Sequence, residues 1–363
     1  MANSTNYRCP SCTGPLHFSS SSNRLECDYC GSSYTIEEMD KLYGKKVAED
    51  TVTQNEKQKQ AEEKAKKTEN WDEVFVQSYN CTTCGAELIC EKTTVATSCP
   101  YCGNPTIIPG QFKGGRMPDL VIPFKINKEQ AVEALKKHYH GKRFLPKVFS
   151  SENHIEEIKG VYVPFWLYSG KATGNFSFAA TKTHSFISGK YQVTETSHFN
   201  ITRAGDLDYT RIPVDASEKM DNDQMDSVEP FDYSELTKFS PSYLPGFFAE
   251  SFDESEQTCK PRSDARANQS MKDAIRKTIG YYDTLVETSG EVSTKDSSIE
   301  YAFMPVWLLN TKWKDENFRF AMNGQTGKFV GNLPVDWGRF WGHFFAIFAI
   351  GMAVITPIAY LLF

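Results

Sequence analysis

At 363 residues the chain is long enough for two or three modules, each with its own core, and its 40% hydrophobic content is that of an ordinary globular protein. The formal net charge of −6, from 40 Lys and Arg against 46 Asp and Glu, argues against a protein devoted to gripping phosphates, which needs clustered cations. Ten cysteines would suit a secreted disulfide scaffold, but MANSTNYRCPSC has no apolar signal region, and eight of the ten fall in Cys-x-x-Cys pairs. Paired thiols without a secretory signal point to metal ligation in a reducing, cytosolic compartment.

The first element, residues 1–44, reads C-x2-C-x14-C-x2-C through Cys9, Cys12, Cys27 and Cys30. A Cys-x-x-Cys turn presents two sulfurs to one edge of a tetrahedral ion, and a second turn completes the set, which is the pattern of a zinc ribbon. The segment 45–75 has no Gly or Pro and few apolar residues, with Glu62–Lys66 and Glu63–Lys67 at helical spacing. It predicts a charged helical linker without a coiled-coil seam.

Residues 76–112 repeat the first module. Cys81, Cys84, Cys99 and Cys102 lie 72 positions after their counterparts, and Tyr79, Leu88, Tyr101 and Gly103 match Tyr7, Leu16, Tyr29 and Gly31 at the same shift. Identical spacing in two copies predicts two structural zinc ions held by eight thiolates. Four thiolates also suit iron, so the metal stays open between the two. Neither site has a vacant position for substrate water.

The remainder predicts a duplicated α+β body, with lobes over 113–210 and 211–336. GVYVPFWLYSG at Gly160 resembles YAFMPVWLLNT at Tyr301, and Phe176-Ser177-Phe178-Ala179 resembles Phe318-Arg319-Phe320-Ala321. Upstream, VIPF at Val121 echoes VEPF at Val228. Helical periodicity marks Lys128–His140 and Ser263–Tyr282, with Ser263 as expected cap and Gly280 as expected stop. Aromatic and β-branched runs between them predict strands.

Several other signals fail on chemistry. Asp221-Asn222-Asp223 begins like a calcium loop, but Asp226 stands where Gly is needed and Asp232 where Glu is needed. GQTGKF at Gly324 lacks the glycine spacing and the hydroxyl residue of a phosphate loop and predicts a β-turn at Gly327. Lys136, Lys137, Lys142 and Arg143 form the one basic cluster suited to anionic lipid or nucleic acid. No nucleophile elbow, zincin motif or dinucleotide fingerprint is present, so no enzyme is expected.

Residues 337–363 end in FFAIFAIGMAVITPIAYLLF, twenty residues without a charge, preceded by Trp337, Arg339 and Trp341. Length and flanks predict a single-pass C-terminal transmembrane anchor in the cell membrane, with the N-terminal body cytoplasmic.

Tandem ribbons, the PFWL and PVWL strands, FAMNGQTGKFVGNLP at Phe320 and the apolar terminus together resemble a bacterial family, the transcription factor IIB-type zinc-ribbon membrane proteins of Firmicutes. The resemblance implies partners: members are encoded beside phage-shock protein A homologues and SPFH-type (flotillin-like, virion-core) proteins. The expectation is a membrane-anchored zinc-ribbon adaptor that recruits such proteins in envelope stress. The alternative is a zinc-ribbon nucleic-acid-binding protein of transcription or replication, which the acidic balance disfavours.

Overall fold

The computed structural model describes residues 9–42, 76–81, 85–91, 99–101, 107–110, 116–146, 158–313 and 316–362. The expected linker over 45–75 lies outside them, as do Cys84 and Cys102. Within them the fold is mixed α/β. A small sheet of β1 (His17–Ser19), β2 (Arg24–Glu26) and β3 (Ser33–Tyr34) stands apart from an eleven-stranded sheet.

The large sheet contains β4 (Val76–Cys81), β5 (Glu87–Glu91), β6 (Ile107–Gly110), β7 (Leu120–Val121), β8 (Lys159–Ser188), β9 (Tyr191–Asp215), β10 (Thr237–Lys238), β11 (Phe248–Glu250), β12 (Thr284–Trp313), β13 (Glu316–Asn323) and β14 (Phe329–Gly331). Its main path runs β10-β7-β12-β8-β11-β5-β4-β6, with β9 on β8, β13 on β12 and β14 on β13. Both faces of the centre are covered, which explains why β8 reads as a continuous apolar run rather than an alternation. Tyr162, Trp166 and Tyr168 belong to one buried cluster, and Val161, Val163, Phe165 and Leu167 to the other.

The two copies in the body meet around a local two-fold axis. A shift of 141 positions carries Pro164-Phe165-Trp166-Leu167 onto Pro305-Val306-Trp307-Leu308, and the same shift carries Val163 onto Met304. Strands β8 and β12 are antiparallel with Val163 directly opposite Met304, so each copy pairs with its own equivalent there.

The short strands then cross over. β7 of the first half runs parallel to β12 of the second, Leu120 beside Ala302, while β11 of the second runs parallel to β8 of the first, Phe248 beside Val161. Trp166 donates its indole N–H to Glu254 O at 3.0 Å, and Trp307 donates to Ile126 O at 2.9 Å. The matching rings, Phe252 on Trp166 and Phe124 on Trp307, sit at 5.1 and 5.2 Å. The structural counterpart of Val121–Phe124 is therefore Ala249–Phe252, and not the Val228–Phe231 that the sequence echo suggests. The halves are interlocked, each completing the other's sheet.

Each tryptophan's acceptor immediately precedes a helix cap. Asn127 and Gln130 form a reciprocal capping box on α1 (Lys128–Tyr139), which matches the periodic stretch. Helix α2 (Asn222–Val228) is a short segment capped by Asp221. Ser255 caps α3 (Glu256–Lys277), which begins seven positions before the expected Ser263. Pro261 conceals that start, because proline inside a helix is disfavoured and reads as a boundary. GQTGKF is the turn between β13 and β14, with Gly327 at φ +76°. The buried Asn323 amide there donates to Val228 O and Pro230 O, both at 3.2 Å.

The C-terminus corrects an expectation. Helix α4 (Trp337–Leu362) is present, but among the described residues no helix is long and apolar enough to cross a membrane. Its first turns are tied to the body: Asp336 N–H donates to Phe144 O at 2.8 Å, Arg339 donates to Leu145 O at 3.1 Å, and Phe340 packs edge-on against Phe144. The absence of such a helix among the described residues contradicts the expected single-pass anchor and the cell-membrane localisation that rested on it.

Trp166→Phe and Trp307→Phe each remove a donor and leave a carbonyl unpaired at the interlock. Each should cost about 1–2 kcal/mol, read as a lower urea midpoint with an unchanged slope.

Candidate metal centre

In the first ribbon both cysteine pairs sit on the same backbone turn. Cys9 N–H donates to Gly14 O at 2.8 Å and Cys9 O accepts from Thr13 N–H at 2.8 Å; Cys27 N–H donates to Ser32 O at 3.0 Å and Cys27 O accepts from Gly31 N–H at 2.9 Å. Each turn passes through a left-handed residue, Thr13 at φ +62° and Gly31 at φ +70°, a conformation in which glycine carries no steric penalty.

The turns aim four sulfurs at one point. Cys9 Sγ and Cys30 Sγ are 3.4 Å apart, Cys12 Sγ and Cys27 Sγ are 3.5 Å apart, and all four lie within 4.8 Å of one another. Thiolates at ~2.3 Å from a tetrahedral ion stand about 3.8 Å from each other, so the donor set and its spacing fit such an ion. Cys9, Cys12, Cys27 and Cys30 can hold a metal. Cys9 and Cys27 are buried, whereas Cys12 and Cys30 are exposed.

Polar groups around the sulfurs favour charge. Burial opposes ionisation of Cys9, but the Tyr34 hydroxyl and the N–H groups of Cys12 and Ser11 outweigh it and bring the thiol down to about 6. Hydrogen bonds from Ser32 lower Cys30 as well. At Cys12 the Gly14 N–H favours the thiolate, yet the neighbouring sulfurs of Cys30 and Cys27 prevail and push it up to about 12. Four anions this close need a cation, since like charges each raise the cost of the next.

The second ribbon repeats the geometry where it is described. Cys81 N–H donates to Ala86 O at 2.9 Å and Cys81 O accepts from Gly85 N–H at 3.0 Å, with Gly85 at φ +71°. These residues are 72 positions after Cys9, Thr13 and Gly14. Cys81 and Cys99 are buried in the cluster on the opposite face of the large sheet from the first ribbon's core. The four-sulfur set of this module is not brought together among the described residues, because Cys84 and Cys102 fall outside them.

The two ribbons attach differently, which the sequence does not reveal. Ribbon 2 is part of the large sheet: β5 pairs antiparallel with β11, Ala249 opposite Ile89. Beneath it, Tyr101 donates to the buried Glu250 Oε2 at 2.7 Å, while Glu250 Oε1 faces Lys219 Nζ at 3.8 Å, and Lys219 also pairs with Asp253. Ribbon 1 keeps its own sheet and rests on the body. Phe18 lies edge-on to Tyr243 at 5.4 Å and to Phe247 at 6.4 Å, and its N–H donates to Pro245 O at 3.1 Å. A helical turn at 36–42 carries Asp40, whose Oδ1 accepts from Ser240 and Ser242 hydroxyls at 2.7 and 2.9 Å. Cys259, without a role from sequence, is a buried thiol on α3 pushed up to about 12 by burial, hence chemically quiet.

No family model and no solved structure matches the chain. It is 33% identical over 333 residues to the uncharacterized protein YdjG of Bacillus subtilis (strain 168), covering 92% of this chain and 91% of that one. The chain belongs to the YdjG family. That kinship covers most of both chains, so it concerns more than a single shared module.

Two measurements check the centre and its setting. Cys9→Ser should lower bound metal by about one ion per chain, read by elemental mass spectrometry. Glu250 tests the seat of ribbon 2: burial raises its carboxyl to about 7, against the opposing Tyr101 hydrogen bond and Lys219 charge. A folded value above the unfolded one means that its stabilising contribution is complete below about pH 4.5 and is lost as pH rises to about 7. Wild type should therefore lose on the order of 3 kcal/mol relative to Glu250→Gln across that window, measured as paired denaturation curves in excess zinc.

Proposed function

We propose that the chain is a zinc-ribbon adaptor, a scaffold that presents a docking surface to protein partners. The observation that carries this reading is the externally mounted four-cysteine cluster. Four thiolates fill a tetrahedral ion, so an ion held there shapes a surface and offers no open position for substrate. Zinc is the proposed metal, one ion per ribbon. Tyr29, between the second cysteine pair, is 78% exposed, as an anchor side chain for a partner would be. The two attachments divide the labour: ribbon 2 stiffens the sheet, and ribbon 1 offers its outer face.

The proposed partners are phage-shock protein A-like and SPFH-type proteins, which the sequence resemblance implies. An affinity purification from native cells tests this, comparing wild type with Cys9→Ser/Cys12→Ser and Cys81→Ser/Cys84→Ser and counting zinc in each. Partners that vanish with ribbon 1 while the protein still accumulates support the adaptor. Partners that persist through zinc loss from both ribbons would move the docking surface to the body.

The second reading, a zinc-ribbon nucleic-acid binder, draws on the basic cluster: Lys136, Lys137, Lys142 and Arg143 are all exposed around the end of α1. Salt-sensitive DNA binding by the full chain, abolished when these four are made neutral, would favour it over the adaptor.

A further inference from the structure

The first ribbon combines three features: half of its sulfurs are exposed, its opposite cysteine pairs are in near contact, and it is fastened to the body by side chains. We infer that ribbon 1 is a site of oxidation by hydroperoxides, at which formation of a disulfide expels the metal and uncovers the aromatic seat beneath. The inference rests on the zinc reading above.

The chemistry needs an accessible sulfur and a second one within reach. Cys30 and Cys12 are exposed, and their nearest sulfurs, Cys9 at 3.4 Å and Cys27 at 3.5 Å, belong to the other turn of the ribbon. The exposed thiolate attacks the terminal oxygen of the hydroperoxide. The O–O bond breaks, the sulfur becomes a sulfenic acid, and the departing alkoxide or hydroxide takes a proton from water. The neighbouring sulfur then attacks the sulfenic sulfur. An S–S bond forms, and hydroxide leaves and is protonated to water. Two electrons pass from the thiol pair to the peroxide, which supplies the oxidant. A disulfide cannot serve as two thiolate ligands, so the ion loses half of its coordination and departs.

Release of the ion reaches the body because metal binding and folding of so small a module are one equilibrium. Its apolar interior is slight: Leu16, Phe18, Leu25 and Met39 are the buried side chains besides the cysteines. Once the turns loosen, Phe18 leaves Tyr243 and Phe247, and Asp40 leaves Ser240 and Ser242. Tyr243 and Phe247 are each only 6% exposed with the ribbon seated, and Phe247 stacks on Phe124 at 4.1 Å, so the surface uncovered is aromatic and preformed. The second ribbon lacks this freedom, because its strand β5 is hydrogen-bonded into the large sheet through β11. The same module thus serves twice, once as a fixed part and once as a removable cover.

The test uses the full chain loaded with zinc and treated with hydrogen peroxide. Zinc release is followed with a colorimetric chelator, disulfides are mapped by mass spectrometry, and a hydrophobic dye reports the uncovered seat. The expected result is loss of about one zinc per chain, a Cys9–Cys30 or Cys12–Cys27 disulfide, and a rise in dye fluorescence, all reversed by dithiothreitol with added zinc. Asp40→Ala, which touches no ligand, should raise dye binding while all zinc is retained, showing that the ribbon is what covers the seat. Release first from the second ribbon, or release of the first ion without any rise in dye binding, overturns the inference. So does retention of both ions under peroxide, which leaves the zinc reading standing. A chain that binds no zinc at all before treatment overturns both.

Discussion

The direct pairing of Val163 with Met304 is the contact on which the rest of this architecture depends. It sets two copies of one strand antiparallel about a local two-fold axis, and everything else is placed relative to that axis. The exchange of β7 and β11 follows from it, as do the twin tryptophan hydrogen bonds and the packing of helix starts against the opposite half. Breaking this pairing would not separate two domains. It would leave β8 with β9 and β12 with β13, each stripped of its shared central edge, and unpaired buried backbone is what folded proteins avoid.

Around this symmetric centre the molecule is asymmetric, and the metal modules occupy the asymmetry. The outer edge of β11 receives ribbon 2 as additional strands, whereas the equivalent edge of β7 receives only the two-residue β10. Ribbon 1 lies beyond, against the 240–247 loop. The buried cysteines of the two ribbons belong to different clusters, Cys9 and Cys27 to one and Cys81 and Cys99 to the other. The body's buried Glu250 receives the fixed ribbon through Tyr101, and Asp40 of the detachable one meets Ser240 and Ser242, so each attachment has its own chemistry.

Much of this was legible in the sequence. The eight cysteines, their shift of 72 and the Cys-x-x-Cys spacing predict the turn that recurs at Cys9, Cys27 and Cys81. The PFWL and PVWL strands disclose the duplication because buried aromatic positions on both copies serve the same interlock. The helical periodicity of Lys128–His140 disclosed α1, which spans Lys128–Tyr139. What stayed hidden depended on distant partners. Ala249–Phe252 shares almost no side chains with Val121–Phe124, since the equivalence lies in backbone pairing and in the carbonyls offered to Trp166 and Trp307. The start of α3 was masked by Pro261. The seat of ribbon 1 has no local signature, as Asp40 and Ser240 meet across 200 positions. The twenty-residue uncharged terminus predicted a membrane span from length and charge alone, and those criteria do not register how Phe144 and Leu145 engage its first turns.

The interlock also dictates an order of events during synthesis. β8 can pair with β9 as soon as that strand is made, but it cannot acquire its second long antiparallel neighbour until β12 has been made more than a hundred residues later, and ribbon 2 cannot join the sheet until β11 exists. Contacts of such sequence separation make folding slow, because the loop must close before any reward is gained. Ribbon 1 is different: its turns, its small sheet and all four sulfurs are complete within its first 34 residues, Cys9 to Leu42. On the ribosome it is therefore the segment equipped to capture a metal at once, while the aromatic strands wait for their partners. A nascent chain deprived of the metal would then complete its long-range pairings with this element absent, and the consequence would fall on assembly yield.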